Sequence, residues 1–255
     1  MKIEEIKPYK NTKSKRQQVE EMFDGIASEY DSLNHNMSLG VDARWRQFVV
    51  DYLEINGIWP LRILDVATGT GDLALIASVR LHPDEIIGID ISQEMLRIGK
   101  EKTKVARLDD NIHFRKEDCA KMSFEDHSFD AVISAFALRN FENLQQCLNE
   151  MYRVTAHGGV IAVIDLCDPH HFPMKQLFKI YQKLIMPIIS RRCIKDVEAA
   201  SYLNQSMKVV PSGKDMAQLF RNAGFINVKY TPLKFGMCYL YTGRKADSAG
   251  HWSER

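Results

Sequence analysis

The sequence predicts an α/β fold, a mostly parallel sheet with helices on both faces. Three observations predict it. Short apolar runs rich in Val and Ile alternate with helical segments from Arg62 to about Asp165, the first run ends in a glycine turn that opens a helix, and the second ends on an acid. In chain order, the first residues carry Lys2, Lys7, Lys10, Lys13, Lys15 and Arg16 with little to bury, so residues 1–18 read as a flexible basic arm. A helix begins after Ser14 with Val19, Met22, Phe23 and Ile26 on one face, and leads into an irregular stretch of Tyr30, Asp31, Asn34, His35 and Asn36. The first strand is Arg62 to Ala67, with a helix from about Asp72, and the second is Ile86 to Ile89, closed by Asp90. A third lies near Ile112 to Arg115 and a fourth from Phe129 to Ser134. A helix over Asn143 to Val154 precedes a fifth strand, Gly159 to Asp165. From Pro169 to Tyr202 the spacing of Leu177, Phe178, Tyr181, Leu184 and Ile185 is helical. A helix from Lys214 to Asn222 ends at Gly224, and two strand-like runs, Ile226 to Thr231 and Met237 to Thr242, complete the domain.

Length and composition bound the function. With 255 residues, 45% apolar and 26% charged, residues 19–245 form one domain, residues 169–205 an inserted helical lid and residues 246–255 a flexible tail. A net charge of +1, with no zinc-ligand or aromatic RNA-binding pattern, gives no reason to expect a nucleic acid partner. Cys119, Cys147, Cys167, Cys193 and Cys238 are odd in number and lack C-x-x-C spacing, which fits free thiols in the cytoplasm. No stretch reads as a membrane span. His170 and His171 have no nearby partners at metal spacing, so no metal is expected.

The chemistry concentrates in LDVATGTGD, Leu64 to Asp72. Gly69 and Gly71 let the backbone turn sharply against a ligand, and Asp90 can accept both hydroxyls of a ribose. With Ala74 these glycines also satisfy the dinucleotide spacing, so spacing leaves nicotinamide cofactors and other adenosine ligands both open. Charge discriminates, because Asp72 at the helix start would repel a pyrophosphate, and Asp65 with Asp72 suits a sulfonium and an ammonium. Asp72 is equally a first-turn acid favoured by the helix dipole. Asp118 and Cys119 follow the third strand, where an acid can accept from an adenine amino group, and the fourth delivers Ala135, Phe136, Arg139 and Asn140 to the same crevice.

With MFDGIASEYDSLNHNMSLGVDARWR (Met22 to Arg46), FALRNF and the ending GFINVKYTPLKFGMCYLYTGRK (Gly224 to Lys245), the chain resembles the ubiquinone/menaquinone C-methyltransferases, a family within the S-adenosylmethionine-dependent methyltransferases. The resemblance spans about Val19 to Lys245 and implies a Rossmann-like seven-stranded sheet, mostly parallel with an antiparallel C-terminal strand, plus an N-terminal helix. It implies S-adenosyl-L-methionine as cofactor, with Asp65, Gly69, Thr70 and Gly71 on the methionine part, Asp90 on the ribose, Asp118 and Cys119 on the adenine, and Ala135 beside them. The chain departs from the family's usual pattern at Ala137, His157 and the SYLNQS run from Ser201 to Ser206.

The resemblance implies methylation of a ring carbon of demethylmenaquinol, with 2-polyprenyl-6-methoxy-1,4-benzoquinol or a soluble small molecule as the alternatives. Attack requires a ring carbon made electron-rich by a neighbouring oxyanion. Arg139 suits that oxyanion, Asn140 the second oxygen, and Tyr30, His35, Asp165 or a water the released proton. Arg139 paired with a strand-end acid is the bland alternative. The stretch Met174 to Ile189 is either a lid with a groove for an isoprenoid tail or a core helix. A polyprenylated quinol implies peripheral contact with the inner face of a membrane, through the basic arm, and a homo-oligomer is compatible with the chain. A non-catalytic scaffold and an oxidoreductase are the remaining readings.

Overall fold

Ile63, Leu64, Val66, Ile86, Ile87 and Ile89 are almost completely buried, as expected of parallel strands covered on both faces. The computed structural model describes residues 3–38, 40–169, 172–185, 196–233 and 236–247. Its strands are β1 (Arg62–Val66), β2 (Glu85–Asp90), β3 (Ile112–Lys116), β4 (Phe129–Ala135), β5 (Thr155–Leu166), β6 (Ile226–Leu233) and β7 (Cys238–Arg244). They form one seven-stranded sheet in the order β3-β2-β1-β4-β5-β7-β6. Strands β1 to β5 pair in parallel, while β7 runs antiparallel to both β5 and β6. The chain winds outward from β1 and returns to β4, so the crevice between their carboxyl ends is a topological switch point.

The helices are α1 (Lys15–Met37), α2 (Asp42–Ile55), α3 (Asp72–Leu81), α4 (Gln93–Ala106), α5 (Leu144–Val154), α6 (Met174–Ile180), α7 (Val197–Val209) and α8 (Lys214–Asn222). One face of the sheet is covered by Trp45, Val49 and Leu53 of α2, Leu73 and Ala77 of α3, and Leu96 of α4. Leu148 and Met151 of α5 and Phe220 of α8 cover the other. Helix α1 starts on a capping box, in which Ser14 Oγ accepts from Gln17 N and the Gln17 side chain accepts from Ser14 N.

Three expectations change. The stretch from Tyr30 to Asn36 is helical, because Leu33 continues the stripe of Met22 and Ile26 that packs on Ala199, Tyr202 and Leu203 of α7. Burial of that stripe outweighs the poor helix propensity of the asparagines. Helix α2 was not anticipated, although Trp45, Val49 and Leu53 have helical spacing. Finally, the N-terminal segment packs onto the domain instead of extending as an arm. Ile3 and Ile6 are buried, and the fully buried Lys15 donates from Nζ to the carbonyls of Ile3 (2.9 Å) and Arg139 (3.0 Å).

Helix α6 runs into a π turn over Tyr181–Ile185. His170, His171, Cys193, the end of the Met174 to Ile189 stretch and most of the C-terminal tail lie outside the described residues. Cys119, Cys147, Cys167 and Cys238 are buried free thiols. Among the described residues no helix is long and apolar enough to cross a membrane.

Candidate active site

The loop after β1 is shaped by left-handed backbone at Ala67, Gly69 and Gly71, and its Thr68 N–H donates to Ile89 O at 2.9 Å, tying it to β2. Gly71 is needed twice over, for φ +82 and because an added Cβ would lie 2.8 Å from Phe114 Cζ. Asp90 faces a cavity of about 160 Å³ that opens here. Its Oδ2 accepts from Gly69 N and its Oδ1 from Ser92 N, both at 2.9 Å, so each oxygen keeps a lone pair for a ligand hydroxyl. Burial raises its carboxyl to about 6, against backbone hydrogen bonds that favour the anion.

Asp65 is 1% exposed and borders a smaller cavity with Tyr30, Thr70 and Ala135. Its Oδ2 accepts from the Thr68 hydroxyl at 2.6 Å, whereas the buried Oδ1 has no partner. Burial pushes this carboxyl up to about 7. An orphaned buried acceptor beside a glycine loop fits a ligand ammonium, which would supply a donor and a positive charge. Asp72 does not fit that role. Lys102 Nζ lies 2.6 Å from its Oδ1 and Arg46 3.6 Å from its Oδ2, so its charge is compensated within the fold. The acidic character read from the sequence therefore rests on Asp65. The Thr70 hydroxyl is also engaged, donating to Asp31 Oδ1 at 2.7 Å and accepting from Lys102 at 2.9 Å.

At the far end of the larger cavity, Asp118 Oδ1 accepts from Ala120 N at 2.9 Å and its Oδ2 lies 2.6 Å from Arg16 Nε. Cys119 lines the wall beside Cys147, and burial raises its thiol well above the ordinary value. Ala135, at the end of β4, borders both this cavity and the smaller one. Helix α1 roofs the crevice with Arg16, Val19, Phe23 and Tyr30. A polar seam fixes the roof. Glu20 pairs with Lys116 at 2.6 Å, and Asp24 accepts from Ser92 Oγ at 2.6 Å and from Glu94 N at 3.2 Å. Sequence reasoning assigned no role to Asp24 and placed Arg16 only in the basic arm; their seven-to-eight-residue recurrence with Asp31 along α1 was the available signal.

A second cavity, of about 90 Å³, shares Phe136 with the first and is lined by Asn34, Met37, Trp45, Arg139, Phe178 and Tyr181 among others. Phe136 sits at φ +63 and meets the Trp45 ring edge-on at 6.1 Å between centroids. Arg139 is buried, its NH1 donating to Asp165 Oδ1 at 2.5 Å and to Phe136 O at 2.7 Å, while its backbone N donates to Asp165 Oδ2 at 3.2 Å. The strand-end acid is thus present. Burial raises the Asp165 carboxyl, and the Arg139 charge opposes that rise.

Three donors around this cavity lack partners: Arg139 Nε, Trp45 Nε1 and Asn34 Nδ2, all buried. Asn140 lines the first cavity instead, with its Oδ1 accepting from Tyr202 at 3.2 Å. Tyr30 borders the first cavity and the smaller one, and burial raises its phenol. His35 belongs to none of these groups. Its side chain is 69% exposed, 3.7 Å from Asp42, and lines none of these cavities. Trp45 lay inside a motif run without a role, because nothing local to it shows whether the indole N–H finds a partner.

The profile of the ubiE/COQ5 methyltransferase family matches residues 11–245. The demethylmenaquinone methyltransferase of Bacteroides fragilis is 46% identical over 242 residues, which cover 95% of this chain and 98% of that protein. The Porphyromonas gingivalis protein of the same name is 41% identical, covering 95% and 98%. The ubiquinone/menaquinone biosynthesis C-methyltransferase UbiE of Geotalea daltonii is 37% identical, covering 91% and 97%. Among solved structures, a SAM-dependent methyltransferase from Aquifex aeolicus superposes with TM-score 0.53 at 19% identity, over 72% of this chain and 81% of that one. The [4+2]-cyclase SpnF superposes with TM-score 0.63 at 17% identity, over 91% and 97%.

Proposed function

The chain belongs to the ubiE/COQ5 methyltransferase family, and we propose that it methylates a ring carbon of demethylmenaquinol to give menaquinol. The observation that carries the choice of acceptor is the second cavity. An apolar wall with three buried, unpaired N–H donors suits a flat ring bearing oxygens, and Phe136 borders both it and the cofactor crevice. S-adenosyl-L-methionine is the cofactor, and it supplies a methyl group on a sulfonium.

In our reading Asp90 accepts the ribose hydroxyls, Asp118 the adenine amino group, and the open oxygen of Asp65 the ammonium, while Gly69, Thr70, Gly71, Cys119 and Ala135 shape the walls. Arg139 turns Nε toward a quinol oxygen and lowers the cost of its ionisation, which makes the adjacent ring carbon nucleophilic. Asp165 already accepts from Arg139 NH1, Arg139 N and Leu166 N, so it orients the guanidinium and is not a free base. Trp45 and Asn34 hold the acceptor's oxygens. Tyr30 and Asn140 border the cofactor side and keep the two ligands in line, with water excluded.

A polyprenyl tail keeps such a substrate in a bilayer, so the enzyme works at a membrane surface on the cytoplasmic side. The test is methyl transfer from labelled S-adenosylmethionine to reduced demethylmenaquinone, with the polyprenyl methoxybenzoquinol as second arm. Methylation of the naphthoquinol is expected, and failure with it overturns the proposal. Trp45→Phe should raise its KM about tenfold with cofactor affinity unchanged.

A further inference from the structure

Helix α6 and the π turn after it carry both cavity-lining and outward-exposed apolar residues. Phe178 and Tyr181 line the acceptor cavity, and the Tyr181 hydroxyl donates to Met37 O, which anchors this face against α1. The same segment exposes Leu177 (54% exposed), Ile180 (53%) and Leu184 (58%), at spacings of three and four residues, with Phe172 (82%) just before the helix. Lys179 and Lys183, four apart, stand exposed along this stripe, and Lys175 is half-buried near its start. Single exposed apolar side chains need no explanation, but a stripe of them flanked by lysines does.

We propose that this outward face docks on an anionic lipid bilayer. The inference rests on the lipid-tailed acceptor argued above. Three features select a bilayer over a protein partner. Every charged residue of the described segment 172–185 is a lysine, which matches anionic headgroups. Among the described residues no helix is long and apolar enough to span a bilayer, and the exposed stripe of α6 is suited to lie in its surface. The helix that would touch the lipid is itself a wall of the cavity that takes the ring, so an acceptor passes from bilayer to cavity around one helix. The basic N-terminal segment is a weaker candidate, since Ile3, Ile6 and Lys15 are turned inward and Lys7 and Lys13 are engaged within the chain.

Sedimentation of the full chain with phosphatidylcholine vesicles, with and without phosphatidylglycerol, tests this. The protein should pellet with the anionic vesicles at low salt. Leu177→Ser/Ile180→Ser/Leu184→Ser should weaken that binding by more than about tenfold while transfer to a short-tailed, water-soluble demethylmenaquinol stays within about twofold. Lys179→Gln/Lys183→Gln should abolish the preference for anionic lipid, and Lys7→Gln/Lys10→Gln/Lys13→Gln should bind as the parent. The proposal is overturned if the parent fails to pellet, if the serine variant pellets equally, if the N-terminal variant is the one that fails, or if the parent is a dimer that the serine changes dissociate. Loss of vesicle binding in the serine variant, together with no transfer to any quinol, upholds the docking face and overturns only the proposed reaction.

Discussion

Asp65 keeps one carboxylate oxygen without a partner in a site that is 1% exposed, an arrangement that is costly until a cation arrives. Burial holds its carboxyl at about 7 without ligand, and a bound ammonium favours the anion and lowers that value. Binding therefore releases a proton. Affinity should be full above about 7 and fall as pH drops through it, approaching tenfold per unit on the acid side. Calorimetric titration with S-adenosylhomocysteine between pH 5.5 and 8.5 should show this slope, and Asp65→Asn should move its onset down to about 6, where Asp90 titrates; a parental profile flat above about 6 removes Asp65 from the site. Arg139→Ala should slow transfer at least about a hundredfold with cofactor affinity preserved, and should cost about 3 kcal/mol of stability because Asp165 is left charged and buried. Arg139→Ala/Asp165→Asn should recover stability but not rate, which denaturant unfolding and a single-turnover assay would separate. The types of these residues were legible in the sequence, since Asp90 ends a strand and Arg139 follows one. The partnership of Arg139 with Asp165, 26 positions away, was legible only as an alternative.

Helix α1 acts as the roof of the proposed cofactor crevice, held by Arg16–Asp118, Glu20–Lys116, Asp24–Ser92 and Asp31–Thr70. Its apolar stripe packs on α7, so opening it would expose Val19, Met22 and Ile26 unless α7 moved too. Asp24→Ala removes the acceptor of Ser92 Oγ and Glu94 N and should weaken cofactor affinity about fivefold to tenfold. Hydrogen exchange over residues 15–37 should quicken in this variant and slow again when S-adenosylhomocysteine is saturating; unchanged exchange would mean that the seam does not hold the roof. Element identities were readable where period and punctuation agreed, as in β1, β2, β4 and α5. They failed at Tyr30 to Asn36, where local polarity conflicts with burial, and at α2, where the spacing was present but unread.

At the scale of the molecule, the same architecture occurs in a [4+2]-cyclase, so the sheet order alone does not specify methyl transfer. In the proposed reading, specificity lies in loops gathered at one end of the sheet, and ligand binding there should stabilise the whole chain. S-adenosylhomocysteine at a hundred times its Kd should add about 2.7 kcal/mol and raise Tm by about 5 to 10 °C, and NADH should leave Tm unchanged. A scanning calorimeter with both ligands checks this, and an equal shift with NADH would contradict the cofactor assignment. The strand-helix order, the glycine turn, the strand-end acids and the motif runs were determined by the sequence, because period, φ requirement and residue chemistry are local properties. Tertiary structure decided which charges remain available: Lys102 and Arg46 occupy Asp72, whereas Asp65 Oδ1 stays open. It also turned the N-terminal segment inward and brought Asn34, Trp45 and Arg139 around one cavity. Compensation of charge and pairing of donors depend on neighbours distant in sequence, and only the packed chain fixes those distances.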